Sequence, residues 1–136
     1  DGEIFQMDPI KLCPVPDHHI PLLVCGHAKP ALRRAARLGD GWISAGSSLQ
    51  ELQSMISQIE GFRKDYGRES GAFEYHAMTE AAYSVEGLGD LAAAGVTEVI
   101  IAFRNPYSAE PDTQSVEEKI GMINWYADNV IKPYRS

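Results

Sequence analysis

The stretch Ile20-Pro21-Leu22-Leu23-Val24-Cys25-Gly26-His27, continued by Ala31-Leu32-Arg33-Arg34-Ala35-Ala36-Arg37-Leu38-Gly39-Asp40-Gly41-Trp42, decides the fold. Residues 20–25 are apolar on both faces and stop at a glycine, the pattern of a buried parallel strand. A helix follows, with Pro30 in its first turn, where a missing N–H costs nothing. Ala31, Leu32, Ala35 and Leu38 share one face of it. Arg33, Arg34 and Arg37 turn largely away, and Gly39 closes it as the residue just past its end. Residues 41–45 form the next strand, ended by Gly46.

The same alternation extends downstream. Ser48 with Glu51 makes a capping box. Leu49, Leu52, Met55, Ile56, Ile59 and Phe62 follow at helical spacing, the strongest periodic run in the chain. Residues 73–78 read as a third strand. Ser84 caps a short helix to residue 94, which Gly87 and Gly89 weaken by about 1 kcal/mol each relative to alanine. After Gly95, residues 99–103 read as a buried fourth strand. A polar loop with Pro106 and Pro111 leads to a second capping box, Ser115 with Glu118. The last helix carries Val116, Ile120, Ile123, Ala127 and Val130 as its core stripe, and Pro133 stops it. Upstream, Pro9, Pro14 and Pro16 keep residues 1–19 irregular, with a turn at Asp17-His18-His19.

Four strands alternating with four helices imply a parallel α/β domain with right-handed crossovers. Two architectures satisfy that order: a small open doubly wound sheet, or half of a (β/α)₈ barrel. The pattern does not choose between them. The 136 residues suit one domain without an internal linker, and 44% hydrophobic with 23% charged residues is ordinary for a globular protein. A net charge of −7 argues against nucleic acid or an anionic membrane as partner. Two cysteines, Cys13 and Cys25, are too few for a disulfide framework and point to reduced thiols in the cytoplasm. No apolar run spans a membrane, and no signal peptide is expected. The first residue is Asp1 rather than Met, so a natural start is not expected there.

The block from Ile20 to Trp42 resembles the luciferase-like monooxygenase family. Members of its deazaflavin-dependent branch carry a proline-started strand ending in two glycines and a histidine, then an Ala-Leu-Arg-Arg-Ala-Ala-Arg helix and an Asp-Gly-Trp turn. Ala94-Gly95-Val96-Thr97-Glu98-Val99 is similar to the family's approach to its final strand, and the helix after Ser115 to its closing helix. Asp1-Gly2-Glu3, then Phe5, resembles the segment before its fifth strand. The resemblance implies a (β/α)₈ barrel of roughly 250–400 residues. This chain then corresponds to strands five to eight, the C-terminal half. The groups that touch the reactive ring, and most proposed acid–base groups, belong to the other half.

The resemblance also implies a site. In barrels, function gathers at the C-terminal ends of the strands. The turn Cys25-Gly26-His27-Ala28 lies there, at a helix start whose backbone N–H groups and dipole suit a phosphate. In the family this turn meets the phosphate of FMN or of the F-420 type deazaflavin coenzyme. Cys25 stands where the first glycine is usual, which narrows the space. Without the resemblance, a tight turn with no ligand is the default. His27 is either a phosphate donor or proton carrier, or a polar turn residue. The second turn, Ser44-Ala45-Gly46-Ser47-Ser48, meets substrate or phosphate in some members. Lacking lysine or arginine here, it reads mainly as a cap, with Ala45 as the substrate-side candidate. Arg104, at the end of the last strand, meets an acidic substrate or coenzyme tail, or else forms a surface ion pair. His18, His19 and His76 lack metal-ligand spacing and take surface or loop roles, so no metal is expected. Trp42 and Trp125 are expected to pack in the core or under a helix.

Two functional readings follow. One is the C-terminal half of an oxidoreductase or monooxygenase acting on a small organic substrate, nearly inactive alone. The other is a non-catalytic half-barrel that dimerises edge to edge or joins a missing N-terminal half. A small nucleotide-binding domain is weaker, because Gly26-His27-Ala28-Lys29 is not a G-x-G-x-x-G motif and no Walker motif exists.

Overall fold

The computed structural model describes residues 3–11, 13–104 and 108–136. Asp1 and Gly2 of the leading segment, and Asn105 and Pro106 of the polar loop, lie outside them. The elements are β1 (Leu23–Cys25), α1 (Lys29–Leu38), β2 (Gly41–Ala45), α2 (Leu49–Asp65), β3 (Glu74–Met78), α3 (Val85–Ala93), β4 (Glu98–Val99) and α4 (Val116–Tyr126). A 3₁₀ turn over Glu80–Tyr83 precedes α3.

The strands lie in the order β1-β2-β3-β4, all parallel. This order separates the two architectures that the alternation left open. A doubly wound sheet reverses its order at a switch point. A sheet that adds each strand beside the last, by crossovers of one hand, keeps its helices on one face, as a barrel wall does. Burial agrees. Trp42, Ser44, Tyr75 and Ala77 are buried on the helix side, while Ile43, Ala45, His76 and Met78 are only partly covered on the other. Register places Cys25 beside Ile43, Ile43 beside His76 and His76 beside Glu98, so a mixed polar and apolar row crosses the open face.

The core lies between the sheet and α1, α2 and α3. Trp42, Leu32, Leu52, Ile59 and Leu91 are its fully buried large side chains. Each contributes about 1.5–3 kcal/mol by leaving water. The periodic run of α2 buries Leu52, Met55, Ile56 and Ile59 as its spacing demands. Its end also buries Arg63, whose guanidinium donates to Glu60 and to the Arg68 and Gly71 carbonyls and lies over Phe73. No periodicity signals that arginine.

Several expectations need correction. The strand expected over residues 20–25 pairs only from Leu23, and Ile20 and Leu22 are exposed, because β1 is a sheet edge. Leu38 is exposed and Ala36 buried in its place on α1. Gly39 has φ −85°, so no left-handed conformation selects it. A Cβ there would lie 2.9 Å from the Ala35 carbonyl oxygen. Gly87, costly for helix propensity, is likewise selected by contact, since a Cβ would collide with the Ala81 carbonyl. His76, within the strand expected over residues 73–78, is partly covered rather than on the surface or in a loop, and is bonded to Glu74 at 2.8 Å.

The largest departures are at the C-terminal end. The expected strand over residues 99–103 keeps ladder pairing only through Val99. Val116, Ile120 and Ile123 are exposed, and Trp125 is 53% exposed rather than packed. The apolar stripe is real, but the sheet beneath it has ended, and docking is instead through Tyr126 at the end of α4 and Val130 beyond it. The Tyr126 hydroxyl donates to the Ala82 carbonyl at 2.7 Å. Pro133 does not stop the helix, which passes through a π turn (Ala127–Ile131) into a last α turn (Lys132–Tyr134). An apolar groove of about 620 Å³ remains between α3, β4 and this helix, lined by Leu88, Leu91, Val99, Phe103 and Tyr126 among others.

Candidate functional site

Asp40 sets the geometry of the first turn from below. Its carboxylate accepts from the Leu22 amide at 2.8 Å and from His19 Nε2 at 3.0 Å, while its own amide donates back to the Leu22 carbonyl. The Leu22 amide, then His19, holds its carboxyl below the ordinary range. Register between β1 and β2 is thereby fixed next to Gly41; β2 runs on to Ala45, while β1 ends at Cys25, level with Ile43.

At that level the chain leaves β1 through Gly26, with φ +122°, a conformation open to glycine and closed to most residues. The Gly26 carbonyl accepts from the Trp42 indole N–H at 2.9 Å, which ties the turn to the core. Helix α1 then begins with Ala28 as N-cap and no side chain capping it. Pro30 has no N–H to satisfy. The amides of His27, Ala28 and Lys29 donate to no protein acceptor among the described residues. This is a helix terminus with donors and positive dipole left for something else.

His27 leans back over β2. Its Nε2 is 3.2 Å from Ser44 Oγ and 3.3 Å from the Ala45 amide. Its ring meets Trp42 edge-on at 6.2 Å. Ser44 Oγ is 2.7 Å from Ser47 Oγ. Ser44 is fully buried and Ser47 nearly so. The structure thus brings His27 and Ala45, from the two candidate turns, into contact. The hydroxyls beneath them are 17 and 20 residues from His27, and no motif announces them.

The second turn is built differently. Ser48 Oγ accepts from the Glu51 amide, and the Glu51 carboxylate accepts from the Ser48 amide at 2.8 Å and its hydroxyl at 2.7 Å. The Ser48 amide, then its hydroxyl, holds the Glu51 carboxyl below its ordinary range. With the Ser48 and Glu51 amides satisfied and a carboxylate in place, this terminus disfavours an anion.

Comparison with known proteins follows this geometry. Residues 1–116 match the family described as luciferase-like monooxygenase. The chain belongs to that family. Uncharacterized proteins of Mycobacterium tuberculosis and Mycobacterium bovis are 41% identical over 130 residues, which is 96% of this chain and 44% of theirs. The pyrimidine monooxygenase RutA of Allorhizobium ampelinum is 38% identical over 76 residues, 53% of this chain and 21% of its own length. The chain therefore spans less than half the length of these curated relatives and forms a partial luciferase-like barrel domain.

Within that family frame, Cys25 is exposed at the end of β1 and Ala45 partly covered beside it. Arg104 stands apart. Its guanidinium donates to the Glu110 carbonyl within its own loop. Nearby Asp112 is held low chiefly by Lys119, at 2.7 Å, with Arg104 a minor influence. Among the described residues, no cluster of His, Cys, Asp or Glu has metal-binding geometry, and no helix is long and apolar enough to cross a membrane.

Proposed function

We propose that this chain supplies the phosphate-holding half of a flavin- or deazaflavin-dependent oxidoreductase, with the Cys25-Gly26-His27-Ala28 turn as the phosphate seat. The uncapped α1 terminus beside Gly26, at the C-terminal end of the parallel sheet, carries the reading. The donor set fits a phosphate: unused amides, a side-chain imidazole, the adjacent Lys29, and no carboxylate in the turn itself. A ribityl phosphate would take the amides of His27, Ala28 and Lys29. FMN and an F-420 type deazaflavin share that group, and the exposed Cys25 side chain narrows the approach for either. Ala45 would border the substrate side, and Arg104 an acidic substrate or coenzyme tail.

The bound coenzyme, when present, supplies hydride transfer or oxygen activation, and the protein holds and orients it. The relative named as a pyrimidine monooxygenase favours the oxygen-using branch and a small organic substrate. In this reading the chain alone is nearly inactive, because the remainder of the barrel is required, and it works in the cytoplasm.

The test is a thermal-shift series with FMN, riboflavin, the deazaflavin coenzyme and inorganic phosphate. FMN or the deazaflavin should stabilise the chain by roughly 1.4 kcal/mol at tenfold excess over its dissociation constant. Riboflavin, which lacks the phosphate, should not. Equal shifts with riboflavin and FMN, or none with any phosphorylated ligand at millimolar concentration, would reject the phosphate seat. A second reading, self-association through the open sheet edges, is favoured by the unpaired sides of β1 and β4. Native mass spectrometry separates a 15.0 kDa monomer from its dimer.

A further inference from the structure

We infer that β2 fixes the tautomer of His27, leaving the lone pair on Nε2 and setting the proton on Nδ1. A backbone amide can only donate. The Ala45 amide is 3.3 Å from Nε2, so Nε2 must present its lone pair. A proton on Nε2 would set two N–H groups against each other.

The serines beneath extend the constraint. Ser44 Oγ is 3.2 Å from the same Nε2 and 2.7 Å from Ser47 Oγ. With Nε2 an acceptor, Ser44 donates to it and accepts from Ser47. The hydroxyls therefore run in one direction, Ser47 to Ser44 to His27. Ser44 is 0% and Ser47 6% exposed, so bulk water does not compete for the bond between them. Trp42 closes the arrangement, its ring against the imidazole and its N–H on the Gly26 carbonyl.

Nδ1 makes no bond to protein among the described residues, and His27 is exposed. Free histidine favours the opposite tautomer, with the proton on Nε2. The fold thus selects the less common form and makes His27 a directed donor at Nδ1. This deepens the phosphate reading and, for its consequence, rests on it: a phosphate in the turn meets an Nδ1 donor set by β2, a positioning role shared by Ser44 and Ala45.

The experiment is long-range ¹H–¹⁵N correlation NMR on the histidine-labelled chain above neutral pH, with His27 assigned by its loss in His27→Gln. The expected pattern is Nδ1–H for His27 and weakening of that preference in Ser44→Ala. An Nε2–H or averaged pattern in the unsubstituted chain overturns the inference. A second arm uses two amide variants. His27→Asn keeps a donor near Nδ1, and should retain FMN binding. His27→Gln keeps an acceptor near Nε2 but loses that donor, and should weaken FMN about tenfold. The reverse order would also overturn the inference. If His27 carries its proton on Nδ1 and FMN does not bind, the coenzyme reading falls and the tautomer stands.

Discussion

The two turns at the top of the sheet differ in who satisfies the helix that follows. After β2, Ser48 and Glu51 close the terminus of α2 from within the chain. After β1, Ala28 gives α1 its carbonyl but no side-chain cap. A missing cap costs about 1 kcal/mol. The chain can build capping boxes, since it has them at Ser48 and Ser115. The contrast teaches that a candidate turn can be picked out as much by absent local satisfaction as by the groups present.

The largest effect that should break this contrast is Gly26→Ala. A side chain at φ +122° is strained, and its Cβ would sit 2.9 Å from that of Ala31. Urea unfolding should report a loss of about 2–4 kcal/mol, with FMN binding abolished. Unchanged stability would mean the turn is not held as described.

Ala28→Asp makes the first turn resemble the second. A carboxylate at the N-cap should leave stability equal or raise it by about 0.5–1 kcal/mol, while FMN binding falls more than about tenfold through repulsion. Stability and binding moving together would sink the idea that the bare cap is kept for a ligand. Ser48→Ala tests the converse, and should cost about 1 kcal/mol in denaturant melts with FMN affinity unmoved.

The smallest effect is in acid. Glu51 and Asp40 have carboxyls held below their ordinary values of 4.5 and 3.8 by amide donors. A depressed folded-state pKa stabilises above the unfolded value, and that stabilisation is lost as pH falls through the folded one. Stability should therefore decline below about pH 4.5. Glu51→Gln should flatten part of that decline, and an identical pH profile would show that the box contributes nothing ionic.

What was legible in the sequence was local. The α2 stripe, both capping boxes and the strand starting at Gly41 follow from spacing within a few residues. Trp42 in the core follows from its place in an apolar strand. Strand order was not legible from spacing, because it is settled by pairing between distant segments; it followed from the family resemblance, which implied half a barrel. Nor was the fate of α4, since Val116, Ile120 and Ile123 have correct periodicity but no sheet to cover them. At the candidate site, the tight turn at Gly26 was legible through its glycine, and the phosphate role assigned to Cys25-Gly26-His27-Ala28 rests on the family resemblance. Ser44 and Ser47 under His27 were not, because a hydroxyl that orients an imidazole from the next strand looks like any serine. Arg104 was placed by strand end alone, and its own loop engages it.

Trp42 gives the first turn an optical voice. It is fully buried, touches His27 and holds the Gly26 carbonyl, whereas Trp125 is exposed in water. With Trp125 replaced by phenylalanine, the emission of a single indole would track whatever enters or reshapes the turn, without any label added to the chain.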